Sequence, residues 1–177
     1  MRRTIGSLVA VFVLLAVPGS ALAASNPSPH SSSPTATSKH KPTKHTVTAT
    51  AVAVALAQTG TPPQAGSTES FLEQVQSSPG GLGAAIIHLT FTGPTGAPGT
   101  SAYHGTRTVY FAQGSVSGTL KATLTTHPNG TTTYSGTETV TGGTVLYKGA
   151  KGTLKYTGAS TSSSVPVTLH FTGTMTY

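Results

Sequence analysis

Residues Ser115–Thr125 read SVSGTLKATLT, and the fold is decided by how this stretch is read. Val116, Gly118, Leu120, Ala122 and Leu124 fall on one side; Ser117, Thr119, Lys121 and Thr123 fall on the other. Alternation with a period of two over this length marks a strand with one buried and one solvated face. The pattern returns in Val165–Tyr177, where Val167, Leu169, Phe171, Met175 and Tyr177 alternate with Thr168, His170, Thr172 and Thr174. It is also present after Ala85, where Ile87, Leu89 and Phe91 oppose His88 and Thr90. Threonine, β-branched and polar, suits the solvated side of such strands.

The turn residues extend the pattern outward. His127-Pro128-Asn129-Gly130 joins two alternating runs, and Asn-Gly supplies the positive φ that a tight hairpin needs. Strands are predicted near 84–92, 105–112, 115–126, 131–141, 144–148, 152–158 and 165–177. With no helical interludes, the expected fold is all-β: an antiparallel closed barrel of about eight strands. Gly118, Gly136 and Gly173 sit inside these runs, as expected where barrel strands bend. Upstream, Val47–Ala57 alternates Val or Leu with Ala and Thr, which leaves strand and helix both open. Ser70-Phe71-Leu72-Glu73 reads as a capping box opening a short amphipathic turn, stopped by Pro79-Gly80-Gly81.

Composition narrows the chemistry. Only 7% of the 177 residues are charged, against about 25% in ordinary domains, so hydroxyls must solvate the surface. There is no cysteine and no aspartate, and the only acids are Glu69, Glu73 and Glu138. A disulfide framework, a thiolate zinc site, a cysteine nucleophile and a Ser-His-Asp triad are thereby excluded, and paired-carboxylate chemistry is not expected. No phosphate loop, dinucleotide fingerprint or zinc-spaced cluster occurs, so no cofactor and no metal are expected. His88 and His170 face outward by alternation and could meet as ligands only if their strands are adjacent.

The N-terminal region reads as targeting and spacer sequence. Arg2-Arg3, the apolar run Ile5–Val17 and Ala21-Leu22-Ala23 form a signal-peptide pattern over residues 1–24, which implies a secreted, extracellular protein. Residues 25–66 form a low-complexity Ser/Thr/Pro/Lys linker, expected to be disordered, and residues 67–177 the barrel. Lys39, Lys41 and Lys44 belong to a small cationic cluster that either attaches to an anionic cell-wall polymer or to lipid headgroups, or is a soluble spacer. The net charge of +7 lies largely in this leader and linker, so no nucleic-acid partner is expected. The oligomeric state is left open.

Thr139-Val140-Thr141-Gly142-Gly143-Thr144-Val145-Leu146-Tyr147-Lys148-Gly149-Ala150-Lys151-Gly152 resembles a glycine-rich segment of dirigent and allene oxide cyclase-like barrels. The chain departs from that segment at Val145, in place of a third glycine, and at Leu146, in place of a basic residue. The resemblance implies an eight-stranded barrel whose lumen admits a small apolar molecule. Enzymes of those families use acidic residues in the cavity; no catalytic residue is carried over to this chain.

Face tracing singles out two charges. Glu138 shares a face with Tyr134 and Val140, and Arg107 shares one with Val109 and Phe111, so both are expected to point into the lumen. Either they form a polar handle that orients a ligand among Tyr110, Tyr134 and Tyr156, or they are a structural ion pair. Three functions remain: a non-enzymatic barrel that binds a small apolar ligand or serves as a wall-associated module, a dirigent- or cyclase-like enzyme, and an adhesion protein.

Overall fold

The computed structural model describes residues 41–161 and 166–177; the leader and residues 25–40 of the predicted linker, Lys39 among them, lie outside the described residues. Eight antiparallel strands close in sequence order into a barrel: β1 (Lys44–Thr59), β2 (Thr68–Ser78), β3 (Gly81–Pro94), β4 (Thr100–Phe111), β5 (Gly114–Thr126), β6 (Thr132–Gly143), β7 (Lys151–Ser160) and β8 (Val167–Thr176). The seam that closes it is the β1–β8 pair, running from Lys44↔Thr176 to Ala53↔Val167.

Two of these strands correct the sequence reading. The region 25–66 is not linker throughout, because Lys44–Thr59 is a full barrel strand paired on both sides. Its alternation is real but inverted in size. Val47, Ala51 and Ala53 are buried, while Val52 and Val54 face outward. Small inward residues suit a lumen already filled by aromatic rings, and tertiary packing settles what periodicity left open. The supposed capping box is likewise strand: Glu69, Phe71, Glu73 and Val75 alternate inward along β2.

Conversely, 144–148 is no strand. The β6 ladder ends at Gly143, and Val145–Tyr147 forms a single 3-10 turn that tucks Tyr147 into the core. The Asn129-Gly130 hairpin differs in detail. Only Gly130 takes positive φ, at 83°, and a five-residue connection closes with His127 N–H donating to the Thr131 carbonyl at 2.8 Å. Asn129 Oδ1 caps this loop by accepting from the Thr131 N–H at 3.0 Å.

The core runs along the barrel axis. At the end bearing the 3-10 turn, Tyr147 packs against Phe111 and Tyr177, with ring centroids 5.7 and 4.9 Å away. At the opposite end, the mouth, Phe91 and Tyr103 meet at 5.7 Å. A chain beginning at Ser67 would lack β1 and expose both seam edges, so it should not fold cooperatively, whereas one beginning at His40 should. Circular dichroism melts of the two segments check this; a cooperative transition in the shorter one would restore the original boundary.

Candidate functional site

Between the two ends the lumen holds a buried triad. Inward positions of β2, β4 and β6 carry Glu73, Arg107 and Glu138, which are 1%, 3% and 1% exposed. Arg107 Nε donates to Glu73 Oε2 at 2.8 Å, and Nη1 donates to Glu138 Oε2 at 3.0 Å. The guanidinium also lies over the Phe171 ring, with Cζ 4.2 Å from the centroid, an arrangement that favours a cation desolvated against an aromatic face. The sequence placed Arg107 and Glu138 inside; it missed Glu73, whose period-two company of Glu69, Phe71 and Val75 was the available signal. Two carboxylates therefore do converge on one group here, contrary to the compositional expectation.

Gly118 makes room for this arrangement. A Cβ at that position would lie 2.7 Å from Glu138 Oε1 and 2.9 Å from the Thr139 carbonyl oxygen. Burial favours the neutral form of Glu138 and lifts its pKa above the ordinary carboxylate value, although Arg107 pulls it back. Burial alone would lower Arg107, but the two carboxylates hold it above its usual value. One half of the Arg107–Glu73 fork is incomplete: Arg107 Nη2 and Glu73 Oε1 have no hydrogen-bond partner among the described residues.

Above the triad, toward the mouth, lies an apolar chamber of about 40 Å³. Ala53, Ile87, Leu89, Leu120, Leu169 and Phe171 supply much of its wall, and Tyr103, Tyr134 and Tyr156 its phenols. Tyr156 donates to Tyr103 Oη at 3.0 Å. Burial, reinforced by the neighbouring phenol, pushes Tyr103 far up, and burial lifts Tyr156 to about 12. Both phenols therefore stay protonated. Tyr103 was not singled out from the sequence, though it shares the β4 face of Arg107 at period two.

Phe71, Tyr134 and Val167 continue from the chamber into a cleft of about 240 Å³ at the mouth, where Glu69, Pro62 and Pro63 also stand. Burial raises the pKa of Glu69, and burial together with the nearby Glu69 charge raises that of Tyr134.

Tyr110 does not belong here. It is 53% exposed on the outer wall, because even positions of β4 face outward when Arg107 faces inward. His88 and His170 also stay apart. They sit on β3 and β8, with β1 and β2 between them, and bond separately to Ser70 Oγ at 2.9 Å and Thr50 Oγ1 at 3.3 Å. Among the described residues, no three His, Cys, Asp or Glu side chains group so as to hold a metal ion.

No family model matches the chain, and no curated protein matches it. Among solved structures, a pyocyanin demethylase matches with a TM-score of 0.44 and 19% identity, over 70% of this chain and 97% of that one. At that distance the likeness says nothing about activity.

The triad's burial makes it testable by stability. Arg107→Met strands two carboxylates in the lumen and should destabilise the barrel by about 3–5 kcal/mol, lowering the melting temperature by roughly 10–20 °C. Gly118→Ala, which crowds Glu138, should cost about 1–3 kcal/mol. Chemical denaturation measures both; near-neutral effects would mean that the triad is not needed for folding. A second test uses pH. The folded barrel binds the Glu138 proton more tightly than the unfolded chain does. Stability from that group is thus full below the ordinary glutamate value and is lost as pH rises through the raised one. Glu138→Gln keeps the neutral shape, so in melts across acid to neutral pH the variant should gain on the wild type as pH rises. A gap that stays constant would assign Glu138 an ordinary titration.

Proposed function

We propose that this barrel is an exported, non-enzymatic binding protein that takes a small apolar molecule through its mouth. The observation that carries the reading is the chamber itself, walled by hydrocarbon and aromatic side chains and opening into the mouth cleft past Phe71, Tyr134 and Val167. Its size sets the ligand. Sites for drug-sized molecules occupy about 300–1,000 Å³, and both spaces here are smaller. A single ring or a short chain fits, with its body in the cleft and an apolar edge in the chamber. The phenols of Tyr134 and Tyr156 would orient a hydroxyl or carbonyl on such a ligand. The resemblance to dirigent and allene oxide cyclase-like barrels implies the same kind of lumen and belongs to this proposal. A cyclase-like enzyme acting through Glu138 and Arg107 is less well supported, because neither residue lines the chamber or the cleft.

Thermal-shift measurements with indole, naphthol and short aliphatic alcohols test the proposal. A ligand present at a hundred times its Kd should stabilise the barrel by about 2.7 kcal/mol. Ala53→Leu, which fills the chamber from β1, should abolish that shift while leaving a cooperative melt. No stabilisation by any probe, or a shift that survives Ala53→Leu, would overturn the chamber as the site.

A further inference from the structure

The outer surface and the lumen divide the charges between them. Glu73 and Glu138 are buried in the triad and Glu69 lines the mouth. Lys41, Lys44, Lys121, Lys148, Lys151 and Lys155 are all exposed. At the end of the barrel opposite the mouth, the exterior therefore carries lysines with no acidic side chain among the described residues to answer them. Thr176 lies between Lys44 and Lys151 in one outward row across β1, β8 and β7, and Lys148 follows the 3-10 turn directly.

Two large aliphatic side chains project from the same end. Val145 is 80% exposed and Leu146 is 51% exposed, side by side on the turn. Val145 sits at φ 52°, the only positive φ among described non-glycine residues, and a β-branched side chain is costly there. The turn is nonetheless held rigidly. Leu146 N–H donates to the Gln113 carbonyl at 3.2 Å, Ser115 N–H donates to Thr144 Oγ1 at 3.0 Å, and buried Tyr147 anchors the turn from within. Leu146 also borders shallow grooves with Pro42, Lys148, His45 and Tyr177. A strained backbone thus presents two aliphatic groups to solvent inside a cationic rim.

We propose that this end of the barrel docks peripherally on an anionic lipid bilayer, with Val145 and Leu146 entering the interface and Lys44, Lys148 and Lys151 meeting the headgroups. The combination selects the partner. A soluble polyanion would engage the lysines but gives no role to the aliphatic pair. A second copy of the chain would set one lysine rim against another. An anionic bilayer satisfies both features, since interfacial binding combines buried apolar area with electrostatic attraction. The outer wall of β5–β8, faced mainly with serine, threonine and lysine, stays in water, and the outward aliphatic row Val54, Leu72 and Ile86 crosses β1–β3 on the side of the barrel, with no lysine among its paired neighbours.

The chain has no tryptophan, so Leu146→Trp places a sole reporter at the tip. The segment His40–Tyr177, which contains all eight strands and the whole core, keeps the N-terminal apolar run out of the measurement. With phosphatidylcholine vesicles containing about one-third phosphatidylglycerol, the indole emission of the Leu146→Trp variant should shift to the blue. Pure phosphatidylcholine should give little shift. Leu56→Trp, at the mouth end, should not respond. Replacing Lys44, Lys148 and Lys151 together with Gln should weaken partitioning about tenfold or more. Val145→Gly separates docking from folding, because it relieves the strained φ and removes the side chain. It should raise the melting temperature while weakening vesicle binding severalfold. The proposal fails if the Leu146→Trp emission does not move on anionic vesicles, if soluble polyphosphate moves it equally, or if Val145→Gly binds as well as the wild type.

Discussion

A guanidinium inside an apolar barrel cannot be left alone, and much of this structure answers that constraint. Arg107 on β4 reaches one carboxylate on β2 and another on β6, so three alternate strands are tied across the lumen. A slip of one residue in any of them would carry its charge to the outer face and strand the others. The triad therefore reads as a device for register as much as for stability. Its surroundings comply: Gly118 yields the space, and the Phe171 ring covers the cation on the side toward the chamber.

Phe171 is also the boundary between two kinds of lumen. One face of the ring meets the charged layer, and the same ring stacks on Tyr156 at 5.1 Å, in the wall of the apolar chamber. Polar and apolar functions are thus stacked along the axis. A ligand in the chamber meets phenols and hydrocarbon while the charges stay behind an aromatic partition. Burying Glu73 and Glu138 leaves hydroxyls and lysines to solvate much of the exterior, so that among the described residues the only acidic side chain outside the core is Glu69 at the mouth.

The later strands were legible because their alternation follows hydrophobic size: Leu120, Leu124, Leu169 and Phe171 face in, and threonines face out. β1 was not, because its buried residues are mostly alanines and two of its three valines, Val52 and Val54, are exposed, a pattern that makes sense only once the rings opposite are known. β2 was misread because Ser70-Phe71-Leu72-Glu73 satisfies a local helix-start rule, and long-range pairing with β1 and β3 overrode it. The same error concealed Glu73. The pairing of Arg107 with Glu138 could be anticipated from faces alone, whereas Tyr110 was included for its chemistry although its position on β4 contradicted Arg107. The 3-10 turn carried no periodic signal, and its importance lies in a backbone angle that sequence does not display.

Closure of the sheet fixes the order in which the molecule can be completed. Neighbouring strands pair locally, but β1 pairs with β8, and the hydrogen bond between Thr50 and His170 joins residues 120 apart. Until the final strand is available, β1 has one unpaired edge, and Val52 and Val54 stand beside it. Such a long-range seam lengthens the search for the native state and leaves an adhesive edge open meanwhile. The closed barrel leaves no strand edge unpaired among the eight, and it reaches that state only when the ten residues of β8 pair with β1.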